Sequence, residues 1–62
     1  MTDTEYYARD WAVGRTLDEI EAEIARCEAK YLTTDYTDMP YGYNAEKDIV
    51  RILTLESIKM SF

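Results

Sequence analysis

Apolar residues recur through the middle of the chain at helical spacing. Leu17, Ile20, Ile24, Cys27 and Tyr31 are separated by 3, 4, 3 and 4 positions. That rhythm sets them on one face of a helix as an a/d seam. Thr16-Leu17-Asp18-Glu19 opens the segment as a capping box: the Thr16 hydroxyl can accept from the Glu19 amide while the Glu19 carboxylate reaches back. Asp18, Glu19 and Glu21 stand where the helix dipole favours anions, and Arg26 and Lys30 lie toward the opposite end. The pattern predicts a helix over 17–32.

A shorter pattern precedes it. Thr2-Asp3-Thr4-Glu5 matches a second capping box, and Tyr7 and Trp11 share a face at i and i+4. These two aromatics lean toward the core. Gly14 is suited to end the helix in the left-handed conformation that other residues resist. The expected helix, 3–13, is marginal alone and must dock on the rest of the chain.

Residues 33–44 break the periodicity with the only proline, a glycine and three tyrosines. A connection of this length is longer than most between helices, which points to a packed or functional loop. Asn44 then caps a third helix, expected over 45–59, with Glu46 and Asp48 in its first turn. Ile49, Ile52, Leu53 and Met60 form its main apolar stripe, while Val50, Leu55 and Ile58 lie off it. A helix apolar over so much of its circumference needs cover on more than one side. Val50, Leu55 and Ile58 are therefore the expected interface of a homodimer. Alternation over residues 58–62 also fits a strand, but the longer capped pattern favours helix. The fold class expected is all-α: one domain over 1–62, a helical hairpin with a short N-terminal helix packed across it.

Composition narrows the function. At 62 residues, a chain buries only about 60% of the surface it exposes when unfolded. Small scaffolds commonly add a disulfide, a metal or a partner. Cys27 is the lone cysteine and there is no histidine, so association is the remaining support. Thirteen acids against 7 bases give a net charge of −6, which opposes direct contact with nucleic acid or an anionic membrane. The acidic N-terminus does not read as a secretory leader, and no apolar run approaches a membrane span. A lone cysteine fits a reducing compartment, and the expected location is the cytoplasm.

Candidate chemistry is sparse. Asp35 to Glu46 has the length of an EF-hand loop, but Met39 and Pro40 stand where an oxygen ligand and a glycine belong. No metal or cofactor is expected. Paired carboxylates such as Asp35/Asp38 and Glu46/Asp48 need a pocket to split their pKa values, and a chain this small has little room for one. Cys27 has no histidine to activate it and reads as a core residue. Enzymatic activity is not expected. Tyr36, Tyr41 and Tyr43, with Asp35 and Asp38 beside them, are the candidate partner-binding residues, because tyrosine combines large rigid area with a polar handle. The acids Asp18, Glu19, Glu21, Glu23 and Glu28 offer a second candidate surface, one that imitates a row of phosphates.

With a capped helix over 16–32, a Tyr-rich loop over 35–43 and a second helix over 44–59, the chain resembles the short acidic helical proteins of lambdoid bacteriophage early regions. The resemblance implies a protein that binds and redirects host proteins, and it carries over no functional residue. The function expected is a non-catalytic interaction protein that modulates a host or partner protein. The alternative is an acidic nucleic-acid mimic that inhibits a DNA- or RNA-binding protein.

Overall fold

A computed structural model of the chain describes residues 2–38 and 45–62, the side chain of Asp38 apart. Three α-helices carry the fold: α1 (Asp3–Ala12), α2 (Leu17–Thr33) and α3 (Ala45–Met60), with a short 3-10 turn at Tyr36–Asp38. No strand occurs among the described residues, and 58–60 continue α3. Asn44, Tyr41 and Tyr43 lie outside the described residues.

The helix starts follow their caps. The Glu19 amide donates to Thr16 Oγ1 at 3.2 Å and the Thr16 amide donates to Glu19 Oε1 at 3.4 Å, so both arms of the α2 box are made. At α1 only one arm forms, from the Glu5 amide to Thr2 Oγ1 at 3.2 Å. Between the two helices the chain turns on Ala12–Arg15. Val13 has φ −61° and ψ 125°, Gly14 has φ 76°, and the Arg15 amide donates to the Ala12 carbonyl at 3.1 Å. Those angles are a type II turn, which demands positive φ at its third residue and so favours glycine there. At the far end of α2, Thr33 and Thr34 hydroxyls donate to the Ala29 and Lys30 carbonyls at 2.8 and 2.6 Å. They are second bonds to carbonyls one turn back, the Lys30 carbonyl also accepting from the Thr34 amide at 3.0 Å.

α2 and α3 form the hairpin, and α1 also packs on α3. Cross-helix pairs fix the hairpin as antiparallel: Glu21 meets Lys59 near the start of α2, and Lys30 meets Asp48 near its end, both at 3.7 Å. Asp3 and Thr4 share a cleft with Glu46 and Lys47, while Glu5 and Arg9 share one with Val50, Leu53, Thr54 and Ser57. α1 therefore runs alongside α3 in the same direction. The extents are 37 × 24 × 15 Å. α3 touches both other helices, and one core cluster draws on all three.

The core is small: Ala8, Ala12, Ile20, Ile24 and Leu55 cluster together, with Trp11 and Ile58 packed against them. Cys27 is buried on the α2 seam as its spacing predicts. On α1 the buried residues are the alanines, whose size lets that helix approach α3 closely. Tyr7, expected inside, is 64% exposed and forms an edge-on ring pair with Tyr6. Trp11 is half-buried, and the Arg15 and Arg51 guanidinium groups lie 4.6 and 5.7 Å from its ring centre.

α3 departs most from expectation. Leu55, predicted at a dimer interface, is fully buried inside the single chain. Ile58 is half-buried against the same core, and Val50 lines the clefts beside α1. The inward face of α3 is Arg51, Thr54, Leu55 and Ile58, at i, i+3, i+4 and i+7, with Thr54 and Leu55 buried and the other two half-buried. Its two polar members are satisfied. The Thr54 hydroxyl donates to the Val50 carbonyl at 2.7 Å, and Arg51 Nη2 donates to Glu23 Oε2 at 3.1 Å. The more apolar stripe is left turned outward, with Leu53 59% exposed and Met60 and Ile49 exposed beside it.

Candidate docking groove

The outward stripe of α3 meets α2 along an open groove of about 390 Å³. Ile49, Ile52 and Leu53 form one wall, Tyr31 and Leu32 the other, and Glu28 is the only charged residue lining it among the described residues. Leu32 is 77% exposed although it carries a full apolar side chain. The antiparallel hairpin creates the groove, because the last turns of α2 run beside the first turns of α3. The total accessible surface is 4622 Å². A compact monomer of this mass exposes roughly 4,200 Å², so this arrangement leaves about a tenth more surface uncovered.

No family model matches the chain, and no curated protein or solved structure matches it either.

The candidate residues of the loop divide into three outcomes. Tyr36 is half-buried rather than presented to solvent, and its hydroxyl donates to Asp48 Oδ2. Its ring stands 6.0 Å from that of Tyr31, which brings Tyr36 to the groove through a neighbour that lines it. Asp35 has a structural part: its Oδ1 accepts from the Thr37 amide at 3.0 Å and the Thr37 hydroxyl at 2.6 Å, an Asx turn that starts the 3-10 segment. Tyr41, Tyr43 and the Asp38 side chain lie outside the described residues. Sequence reasoning missed Glu28 and Leu32 as groove residues. The available signal was the excess of apolar positions on α3, together with Leu32 standing off the α2 seam.

The acidic row expected as a phosphate imitation is largely occupied. Glu19 Oε2 accepts from Arg15 Nη1 at 3.2 Å, and the Arg15 hydrogen bond, aided by the Thr16 amide, holds this carboxyl below its ordinary value. Glu23 accepts from Arg26 and Arg51, and the Arg26 bond is the larger cause of its lowered pKa. Glu21 pairs with Lys59. Arg51 thereby links all three helices, reaching Glu23 on α2 from α3 while lying over Trp11 of α1. These contacts make much of the acidic row a structural device.

Proposed function

We propose that this chain is a non-catalytic interaction protein whose contact surface is the groove between α2 and α3. The observation that carries the reading is the phase of α3: Ile49, Leu53 and Met60 of its most apolar stripe are exposed and Ile52 is half-buried, while Thr54 and Leu55 are buried. Exposed apolar patches of this kind cost solubility, and a polar-rimmed one fits a protein partner. On the resemblance to acidic phage proteins, that partner would be a host protein. A catalytic reading has little to stand on, since Glu28 is the one titratable carboxylate lining the groove and Cys27 is buried elsewhere. The phosphate-mimic reading is weakened by the pairing of Glu19, Glu21 and Glu23 with bases.

No helix among the described residues is long and apolar enough to cross a membrane. The test compares capture of proteins from a lysate by three immobilised forms: the wild type, Leu32→Glu/Leu53→Glu, and Asp18→Lys/Glu19→Lys. The first variant should keep its helical circular dichroism, because both leucines are exposed, and should lose the captured partner. Retention by that variant with loss by the charge-reversed one would return the contact surface to the acidic row.

A further inference from the structure

The charges around the groove are arranged unevenly between its two sides. On α2 the groove-facing positions continue along the helix from Leu32 and Tyr31 back through Glu28 to Glu21, each spaced by three, four or seven residues. On α3 the same face runs through Ile49, Ile52, Leu53, Glu56 and Met60. Glu28 and Glu56 make no ion pair among the described residues. The single base on this face, Lys59, is held by Glu21.

Of the other bases, Arg9 and Lys47 line the clefts on the α1 side of α3, Arg9 beside Leu53, and the rest are paired. Arg26 and Lys30 lie on the opposite edge of α2, paired with Glu23 and Asp48. Arg51 points toward Glu23 and Trp11, and Arg15 toward Glu19 and Trp11. The groove is thus an apolar trough lined by one unpaired carboxylate, Glu28, with Glu56 farther along the same face of α3, in a chain of net charge −6.

A second copy of the chain fits such a trough poorly, since it would bring the same acidic surface against it. An elongated trough between two antiparallel helices suits an amphipathic helix that presents apolar residues at i, i+3, i+4 and i+7. Carboxylates along the trough select cations on the flanks of that helix. Resting on the interaction reading above, we infer that the groove binds a basic amphipathic helix of a partner protein, with its apolar face on Leu32, Ile49 and Leu53 and its lysines or arginines beside Glu28 and Glu56.

The probe is a fluorescently labelled Leu/Lys peptide of ~18 residues, about five helical turns, with leucines at helical spacing. Matched peptides replace lysine with glutamate or scramble the order at constant charge. Anisotropy titrations should show the ordered Leu/Lys peptide bound at least about tenfold tighter than either control, a difference of about 1.4 kcal/mol. Leu32→Glu/Leu53→Glu should weaken it by about tenfold or more, although the variant is more negative. Glu28→Lys/Glu56→Lys should weaken it to a similar degree, roughly tenfold, and improve binding of the Leu/Glu peptide. If circular dichroism shows the double leucine variant unfolded, Leu32→Glu alone, at the exposed end of α2, replaces it.

Equal binding of the Leu/Lys and Leu/Glu peptides would overturn the basic-helix inference while leaving the groove as a contact surface. Equal binding of the scrambled peptide, or indifference to the leucine changes, would overturn both. Sedimentation of the protein alone showing a dimer that Leu32→Glu/Leu53→Glu abolishes would make a second copy the occupant and also overturn the inference.

Discussion

Leu55→Ala should leave the protein largely unfolded at room temperature, whereas Leu53→Ala, two residues away on the same helix, should melt close to the wild type. Leu55 and Ile20 are the largest fully buried side chains in the structure. Truncating a buried leucine to alanine removes transfer free energy and leaves a cavity, together about 2–5 kcal/mol. The cluster around it holds Ala8, Ala12, Ile20 and Ile24, with Trp11 and Ile58 against them, and the alanines have nothing to swing inward. A core at this scale supplies only about 3–5 kcal/mol of net stability, so the loss is comparable to the whole. Leu53 is 59% exposed, and surface changes of this type usually stay within about 0.5 kcal/mol. Urea titrations followed by circular dichroism measure both. A stable Leu55→Ala protein would place α3 in the opposite rotational phase.

Trp11→Ala is the second large effect expected, about 2–3 kcal/mol, below the range for a fully buried tryptophan because the ring is half-exposed. The loss has two sources. The ring packs against the Ala8–Leu55 cluster, and it receives the Arg15 and Arg51 guanidinium groups over its face. Cation–ring contacts at partly exposed sites contribute about 0.5–1 kcal/mol each. Trp11→Phe keeps most of the packing and a weaker ring quadrupole, so it should recover more than half of the loss. Arg51→Met, which keeps a long apolar stem, should cost less than Trp11→Ala because the core packing survives. If all three changes cost the same, the cluster acts through Glu23–Arg51 rather than through the ring. Chemical denaturation of the three variants separates these contributions.

Much of the backbone was legible because its determinants are local. The Thr16–Glu19 box, the Gly14 turn and the 3-4 spacing from Leu17 to Tyr31 act within a few residues of one another, and each element forms where they place it. The face that α3 buries was not legible. Apolar content alone selects Ile49, Ile52, Leu53 and Met60. The structure buries Thr54 and Leu55 with Arg51 and Ile58 beside them: the Thr54 hydroxyl bonds the Val50 carbonyl one turn back in α3, and the Arg51 guanidinium finds Glu23 once the helices meet. The Glu23 partner is fixed by three-dimensional register and leaves no periodic trace. The same reversal hid the groove: its walls were read as core, and Leu55 was read as interface. On α1 the large aromatics drew attention from Ala8 and Ala12, whose small size allows the close approach to α3.

The central claim is that the apolar stripe Ile49–Leu53 faces solvent while Leu55 is enclosed. Methyl NMR of the labelled free protein with a neutral, soluble paramagnetic agent tests it most directly. The methyl signals of Leu53, Leu32 and Ile49 should broaden strongly as the agent is added, and those of Leu55 and Ile20 should persist. Broadening of Leu55 with protection of Leu53 and Ile49 would contradict the account, because the stripe proposed to receive a partner would then be the core.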